Sequence, residues 1–178
     1  MIPARDEPVL FDFTHPDERL WLPIDDAVMG GASHSEMRIE NGRAVFAGVV
    51  SLDFEGGFAS VRSSPGSWDL STCTGIEAVL HGDGRRYKLA LKSDAGFDGV
   101  NWQAAFQTRC HERQVVRIPF QDLIPVYRGL RVSNAPPFGA RHIATFGSLI
   151  SDKQAGPFHL EIERIVAYHR RNQFLAVR

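Results

Sequence analysis

The chain has 178 residues, 43% of them hydrophobic, which predicts one domain large enough to bury its own core. Twenty basic and twenty-one acidic residues give a formal net charge of -1, so no overall field would attract DNA, RNA or an anionic membrane surface. No apolar run approaches the ~20 residues of a bilayer-spanning helix, which argues against a helical membrane protein.

The N-terminal segment and the cysteines indicate a reducing compartment. Residues 1–8 are partly acidic and contain no apolar stretch, unlike a secretory signal or an organelle transit peptide. Cys73 and Cys110 are too few for a disulfide framework, and neither has the close partner of a zinc or thiol-exchange motif. We therefore expect a cytoplasmic protein with reduced, structural thiols, whose membrane association, if any, goes through a partner.

Alternating apolar and polar residues, the pattern of half-buried strands, recur along the whole chain. The strands predicted by this pattern are, in chain order, Val9–Phe13, Glu36–Ile39, Ala44–Val50, Phe58–Arg62, Gly75–His81, Arg86–Lys92, Val100–Gln107, Gln114–Ile118, Ile143–Ile150 and Phe158–Tyr168. Most of the sixteen glycines and ten prolines fall between them. The sequence therefore predicts an all-β antiparallel sandwich or barrel, as a single domain over 1–178 with a C-terminal tail at 169–178.

Three local features refine this prediction. Arg86–Lys92 and Val100–Gln107, joined by a Gly- and Asp-rich segment, predict an antiparallel hairpin. The segment 40–43 predicts a tight turn, and a change of parity in the last strand predicts a β-bulge near Glu163–Arg164. The side chains expected to face the core are Phe46, Phe58, Leu89, Leu91, Trp102, Phe106, Leu160 and Ile162.

The predicted hairpin also presents a polar strip that a sandwich core cannot use. The outward residues of its strands are Lys88, Lys92, Asn101, Gln103 and Gln107. The long connection 120–141, expected to lack regular structure, can fold over this strip and add arginines suited to bidentate pairing with carboxylates or to polar sugar groups. The residues predicted to contact a ligand or partner are Arg62, Lys88, Asn101, Gln103, Gln107, Tyr127, Arg128 and Arg131. The alternative is a solvated face under a passive loop.

Motifs for cofactors, metals and catalysis are weak. Gly82-Asp83-Gly84 lacks the third glycine of a dinucleotide-binding loop and predicts a β-turn. Asp94, Asp98 and Gly99 match three positions of a calcium-binding loop, but too few oxygen ligands accompany them; a structural calcium held by backbone carbonyls stays open. The seven histidines show no paired metal-ligand spacing, and Ser33 lacks the glycine of a nucleophile elbow. We therefore expect no catalytic residue, no metal site and no cofactor.

An ordered set of segments carries a resemblance to a known family. The segments are Trp21–Ser33, Phe46–Ser51, Gly56–Arg62, Gly82–Tyr87, Ile118–Phe120, Arg128–Gly129 and Ser151–Ile162. Each is weak alone, but in this order they resemble the complex I intermediate-associated protein family over about Leu10 to Tyr168. The resemblance implies a galactose-binding-like β-sandwich of jelly-roll type, in agreement with the predicted strands.

The same resemblance implies a function. Mitochondrial members of the family are assembly factors of the respiratory NADH:ubiquinone oxidoreductase and act through protein contacts, whereas a compact chain without a transit sequence resembles the bacterial members. We therefore expect a non-enzymatic protein-binding or assembly module. The expected partner is a respiratory-complex subunit or an assembly intermediate, with no nucleic acid involved.

Several residues of the shared segments also have a structural interpretation. Adjacent glycines permit positive φ or close backbone approach in turns that lead into strands. Arg62, Asp83, Asp152 and Lys153 are interpreted first as a set of ion pairs and turn caps, since charges at sheet edges more often orient loops than hold ligands. The residues with an expected structural role are Asp26, Gly30, Gly31, Ser33, Asp83, Asp152 and Lys153.

A carbohydrate-binding module is the alternative that the implied fold suggests, although such scaffolds host unrelated functions. Carbohydrate recognition needs an exposed aromatic platform beside planar polar groups. Because Trp102 is expected inside, the candidates for that platform are Trp21, Trp68 and Tyr127. An enzyme whose site is formed by scattered residues has less support.

Overall fold

A computed structural model describes residues 6–15, 20–26, 30–96 and 98–169. The strands of the described chain are β1 (Val9–Asp12), β2 (Trp21–Pro23), β3 (His34–Glu40), β4 (Arg43–Val50), β5 (Ala59–Ser63), β6 (Gly75–His81), β7 (Arg86–Lys92), β8 (Asn101–Gln107), β9 (Arg113–Pro119), β10 (Ile124–Tyr127), β11 (Leu130–Arg131), β12 (Thr145–Ile150) and β13 (Gly156–Tyr168). Short 3-10 helices lie at Asp53–Glu55 and Phe120–Asp122. The predicted C-terminal tail lies, from residue 170 onward, outside the described residues.

Two antiparallel sheets form a β-sandwich, which confirms the predicted fold class. Sheet A has the strand order β3-β4-β13-β6-β9, and β1 also pairs with β13. Sheet B has the order β11-β10-β8-β7-β12-β5-β2. Within the described residues there is no helix long and apolar enough to cross a membrane.

The core lies between the inward faces of the two sheets, and strand alternation decides which side chains enter it. Phe46 of β4 and Tyr87 of β7 are fully buried, with ring centroids 6.3 Å apart. The predicted core residues that are buried are Phe46, Leu89, Leu91, Leu160 and Ile162. Trp102 and Phe106 are half-buried and pack against this core, so their predicted inward direction is also confirmed.

Phe58 does not join the core, contrary to the prediction. It precedes β5, in which Ala59 and Val61 face inward and are buried. Because side chains alternate along a strand, Phe58 has the phase of the outward-facing Ser60 and Arg62. In this short segment the small Ala59 takes the core position, and the larger aromatic residue beside it does not.

The β-bulge predicted in the last strand is confirmed. In β13, Ile162 pairs with Leu80 and Arg164 pairs with Val79, so Glu163 is the extra residue. The bulge returns the apolar residues that follow it to the buried face. One long strand can therefore contribute to the core on both sides of the parity change.

Both predicted hairpin features are confirmed. Asn41 and Gly42 have φ values of 50° and 74°, and this left-handed pair closes the turn between β3 and β4. Strands β7 and β8 pair in antiparallel register, with Arg86 opposite Gln107. The longer connection between β7 and β8 leaves room for polar groups at that end of sheet B.

The long connection 120–141 contains regular structure, so the prediction of a loop over the polar strip is wrong. Strands β10 and β11 form a small hairpin at the edge of sheet B, and β10 pairs with β8. Arg128 and Gly129, with φ values of 47° and 80°, form its turn. The hairpin extends the sheet beside the strip. The sequence alone does not predict β10, β11 or β2. These strands have four, two and three residues, which is too short for an alternating pattern to be recognised.

Replacing Trp102 by alanine is expected to lower the free energy of unfolding by about 3 kcal/mol, because its ring packs against the core. The ring meets Phe138 edge-on, with centroids 5.4 Å apart. Trp102→Phe keeps an aromatic ring and should destabilise the fold much less. Urea denaturation followed by circular dichroism measures both variants, and a loss below about 1 kcal/mol for Trp102→Ala would contradict the packing.

Candidate binding site

The register of sheet B lines up four outward-facing residues across four strands. Arg62 of β5 pairs with Gly147 of β12, Gly147 with Ala90 of β7, and Ala90 with Gln103 of β8. We call these four residues the Arg62 row. Its two large polar side chains start ~14 Å apart, because adjacent strands are ~4.8 Å apart. The two residues between them are small, so the row has polar walls and a low floor.

A small pocket that is partly open to solvent lies over this row. Its lining residues are Ser60, Val61, Arg62, Ala90, Asn101, Gln103, Thr145, Gly147, Ser148 and Leu149. Glycine is needed in the floor, since a Cβ at Gly147 would lie 3.0 Å from the carbonyl oxygen of Val61 and 3.5 Å from the Cβ of Ala90. The pocket therefore depends on which residues the long-range register places in the middle of the row.

Three of the predicted partner-binding residues meet in this pocket, namely Arg62, Asn101 and Gln103. In the part of the chain that the structure describes, neither amide side chain forms a hydrogen bond with another residue. Both amides can therefore donate to, and accept from, a bound group. Arg62 is half-buried, and burial lowers the pKa of its guanidinium although the charge of Asp94 opposes the change.

Lys92 lies on the same face and is 1% exposed, a burial that alternation does not predict. Its Nζ donates to the carbonyl oxygen of Asp98 at 3.1 Å and lies 3.7 Å from Oδ1 of Asp94. Burial lowers the pKa of this amine, and the positive charge of Arg62 lowers it further, against the attraction of Asp94. The β7–β8 connection thus encloses a cation at one end of the pocket.

Lys88 and Gln107, which were also predicted to bind a partner, are outside the pocket and contact neighbouring loops. Nζ of Lys88 donates to Ser151 Oγ at 2.7 Å and to Asp152 Oδ1 at 2.8 Å. The amide of Gln107 donates to the carbonyl oxygen of Gly84 at 2.8 Å. These side chains hold neighbouring loops.

Tyr127 and Arg128 lie at the rim of sheet B, on the turn of the β10–β11 hairpin. The Tyr127 hydroxyl and a guanidinium nitrogen of Arg128 both donate to Asp98 Oδ2, at 3.0 and 2.8 Å. The Arg128 guanidinium also stacks 5.3 Å from the centre of the Tyr127 ring. Arg131 is exposed on the edge strand β11. The hairpin is therefore tied to the β7–β8 connection through Asp98.

Two adjacent aspartates fix the position of β5, which carries Arg62. Asp25 accepts hydrogen bonds from the backbone N–H of Ser35 at 2.7 Å and of Ser60 at 2.9 Å. Asp26, 2% exposed, accepts from the N–H and hydroxyl of Ser33 at 2.8 and 2.6 Å and from the N–H of Gly57 at 2.7 Å. The two carboxylates accept hydrogen bonds from different groups, although they are adjacent in the chain.

The burial of Asp26 explains two of the shared glycines. A Cβ at Gly31 would lie 2.4 Å from Cγ of Asp26, and one at Gly56 would lie 2.6 Å from its Oδ2. Gly30 differs, since its φ of 89° requires glycine while open space surrounds it. The residues around Asp26 therefore leave no room for side chains at Gly31 and Gly56.

Asp83 and Asp152 have turn-capping and ion-pair contacts at the end of the sandwich near the start of β7. Asp83 accepts hydrogen bonds from the N–H of Arg85 at 3.0 Å and of His159 at 2.9 Å. Asp152 pairs with Lys88, and both Asp152 and Lys153 have positive φ, 63° and 56°. Arg62 lies in the pocket, apart from these contacts, so the four residues do not form one set.

Two of the aromatic residues considered for a sugar platform pack in or against the core. Trp21 is 9% exposed, and Trp68 meets Phe146 edge-on at 5.0 Å between centroids. Tyr127 is 38% exposed at the rim. Among the described residues, no three His, Cys, Asp or Glu side chains converge on a metal position. Cys73 is buried and Cys110 exposed, and both are free thiols.

Fold and site together define a jelly-roll β-sandwich with a pocket on one outer face. Solved structures with a similar fold include a family 11 carbohydrate-binding module from Clostridium thermocellum in complex with a β-1,3-1,4-mixed-linked tetrasaccharide, with TM-score 0.65, 16% identity and coverage of 92% of this chain and 95% of that one. The family 11 module of the cellulase Lic26A-Cel5E gives TM-score 0.64 at 16% identity, over 95% and 99% of the two chains.

The sequence assigns the chain within this class. The family model of complex I intermediate-associated protein 30 (CIA30) matches residues 11–162, and the chain belongs to this family. A relative in Schizosaccharomyces pombe, the uncharacterized protein C9E9.15, is 29% identical in an alignment 175 positions long that covers 84% of this chain and 78% of that protein. The predicted family membership is confirmed.

Replacing Asp26 by asparagine is expected to lower the free energy of unfolding by about 2 kcal/mol at pH 7, because hydrogen bonds to a buried carboxylate are lost. Burial alone would raise the pKa of Asp26, but the hydrogen bonds from Ser33, Gly57 and Phe58 outweigh it and hold the pKa below the ordinary value of 3.8. The ionised carboxylate therefore stabilises the fold fully above about pH 5, and this contribution is lost as the pH falls through the folded-state pKa.

Urea denaturation at several pH values tests this expectation. The difference between the parent protein and Asp26→Asn should stay constant from pH 7 to about pH 5 and shrink in more acidic solution. Asp53→Asn is the matched control, because Asp53 is an exposed residue of the next loop. A difference that does not change with pH would show that the charge of Asp26 contributes nothing.

Proposed function

We propose that this CIA30-family chain is a non-enzymatic binding module that holds a protein partner on the outer face of sheet B. The observation that carries the proposal is the Arg62 row, in which two polar side chains flank a floor of two small residues. The partner class proposed from the family is a subunit or assembly intermediate of respiratory complex I. The cytoplasmic location expected from the sequence belongs to the same proposal.

The chemistry of the pocket supports binding over catalysis. Arg62 is the one ionisable side chain among the described residues that line it. Arginine stays protonated near neutral pH and is a poor proton donor or acceptor, so the lining offers no pair for general acid–base catalysis. A guanidinium and two primary amides are instead planar groups that recognise polar surfaces by hydrogen bonding.

A protein partner suits this lining better than a sugar. The apolar face of a sugar ring packs on an exposed aromatic side chain, and the described lining of the pocket contains none. Trp21, Trp68 and Trp102 all pack in or against the core, which leaves Tyr127 at the rim. Backbone and side-chain groups of a protein segment need no aromatic platform.

Carbohydrate binding is the second candidate, and the observation in its favour is the similarity to family 11 carbohydrate-binding modules. Because the identity is 16%, the similarity concerns the fold, and unrelated functions share this fold. The same pocket would serve, with the amides of Asn101 and Gln103 contacting sugar hydroxyls.

Replacing Asn101 and Gln103 together by alanine should weaken partner binding more than ~10-fold, since both amides face the pocket and form no hydrogen bond with another described residue. Stability should hardly change for the same reason. The measurement is a binding isotherm with detergent-solubilised complex I assembly intermediates, together with a thermal melt. Gln121→Ala with Asn134→Ala is the matched control, because it removes the same two types of amide from exposed positions outside the strands of sheet B.

Each outcome decides between the candidates. No binding of the intermediates by the parent protein contradicts the assembly role, and equal binding by the Asn101/Gln103 variant contradicts the use of this face. Affinity electrophoresis in gels containing mixed-linkage β-1,3-1,4-glucan tests the second candidate. Retardation of the parent protein that the variant loses would replace the protein-binding proposal by carbohydrate binding.

A further inference from the structure

We infer that the outer face of sheet B binds an extended, acidic segment of a protein partner. The segment lies across the strands and places one aliphatic side chain on Leu22 and another on Ile124. This inference rests on the proposed function, because it names the kind of segment that the same face recognises. The observation that carries it is the alignment of two exposed aliphatic residues with the Arg62 row.

The Arg62 row continues by one residue at each end. Leu22 of the edge strand β2 pairs with Arg62, and Ile124 of β10 pairs with Gln103. Residues that pair across a sheet lie on the same face, so both aliphatic side chains project outward beside the pocket. Leu22 is 57% exposed and Ile124 is 39% exposed. The extended row therefore consists, in order, of Leu22, Arg62, Gly147, Ala90, Gln103 and Ile124.

The length of the extended row fits a short stretch of extended polypeptide. The six strands of the row span ~24 Å from Leu22 to Ile124, because adjacent strands are ~4.8 Å apart. An extended chain rises ~3.4 Å per residue and turns every second side chain the same way, so two sheet-facing side chains about six residues apart span ~20 Å. Such a pair contacts Leu22 and Ile124 from the inner side. The sheet-facing residues between them lie over the low floor of Gly147 and Ala90.

The two ends of the extended row favour a protein segment over a polysaccharide. Aliphatic side chains gain most by burial against other apolar side chains, which a partner protein supplies at intervals along its backbone. A sugar ring packs instead on a flat aromatic side chain, and the extended row contains none. Between the ends, Arg62 and Gln103 carry N–H groups that can donate to backbone carbonyl oxygens. We therefore assign this face to one occupant, a segment of a protein.

The charge of the face favours an acidic segment. All charged side chains that the strands of sheet B project outward are basic, namely Arg62, Arg86, Lys88, Lys92 and Arg131. The carboxylates that act on them, among the described residues, belong to connections at the strand ends.

Those loop carboxylates are already shared among several cations. Asp152 pairs with Lys88 and also lies in the field of Arg86. Asp94 acts on both Arg62 and Lys92, and Asp98 acts on Lys92 while it pairs with Arg128. The strands themselves thus present a basic surface, which attracts a segment with carboxylates and repels one with lysine or arginine.

Peptides titrated into the whole chain test the inference, with the backbone amide signals of Ala90 and Gly147 followed by NMR. The parent peptide is acetyl-Ser-Leu-Ser-Glu-Ser-Glu-Ser-Leu-Ser-amide, whose leucines have the spacing of the extended row. In the comparison peptides, serine replaces both leucines, lysine replaces both glutamates, or the leucines are moved closer together as in acetyl-Ser-Leu-Ser-Glu-Leu-Glu-Ser-Ser-Ser-amide. We expect the parent peptide to shift both signals and each comparison peptide to bind at least ~10-fold more weakly.

Variants at the ends and in the middle of the extended row test the assigned residues. Leu22→Ser with Ile124→Ser removes both apolar contacts and should weaken binding of the parent peptide at least ~10-fold. The matched control, Val115→Ser with Ile39→Ser, changes aliphatic residues that are 55% and 44% exposed in strands of sheet A and should leave binding unchanged. Ala90→Leu fills the floor between the ends and should also weaken binding at least ~10-fold. If a thermal melt shows that Ala90→Leu does not fold, the end variant decides alone.

The inference is overturned if the parent peptide does not bind, if any comparison peptide binds equally well, or if the Leu22/Ile124 variant binds the peptide as the unchanged protein does. It is also overturned if a β-1,3-1,4-linked glucan tetrasaccharide shifts the signals of Ala90 and Gly147 and the parent peptide does not.

A failure of this inference is distinguishable from a failure of the proposed function. If the peptide fails while the Asn101/Gln103 variant still loses complex I intermediates, the face binds its protein partner by other chemistry. If the peptide binds as expected and the unchanged protein does not bind the intermediates, the partner class taken from the family is wrong and the acidic segment belongs to another protein.

Discussion

The buried carboxylate of Asp26 is the constraint on which the outer face of sheet B depends. A buried negative charge is stable only when hydrogen-bond donors surround it, and here those donors come from Ser33 and from the backbone that enters β5. The loops before β3 and β5 are thereby held together. Asp25 continues the same arrangement at Ser60, within β5 itself. Since β5 also carries Arg62, one wall of the pocket is positioned by two carboxylates whose hydrogen bonds are made within the protein.

The other wall of the pocket is positioned by sheet register. Residues 62, 90, 103 and 147 are far apart in the chain, and they become neighbours because β12 pairs with both β5 and β7. A shift of one residue in either pairing would turn the small floor residues inward and larger side chains outward. The pocket is therefore a property of the whole of sheet B, and the edge hairpin β10–β11 secures the β8 side through the contacts of Asp98.

Alternation alone was sufficient to predict the fold class, most strand positions and the outward direction of Asn101 and Gln103. Alternation predicts these features because successive residues of a half-buried strand face the core and the solvent in turn, so a few residues of sequence show both faces. It failed at Phe58, where a small residue takes the core position, and at the connection 120–141, where the strands are too short to show a period. The Arg62 row arises from pairings between distant strands, which no local pattern contains. The burial of Lys92 arises from the irregular connection that follows β7, where strand alternation no longer applies.

The position of the last two strands has a consequence for how the polypeptide folds during synthesis. Strand β12 joins β7 to β5 in the middle of sheet B, and β13 joins β4 to β6 in the middle of sheet A. Until residues 145–168 have left the ribosome, each sheet consists of separate halves with unpaired backbone and exposed apolar faces. The nascent chain therefore stays dependent on late, long-range pairings, which are slow to form. In a protein with this topology, neither sheet can be continuous before residues 145–168 are available.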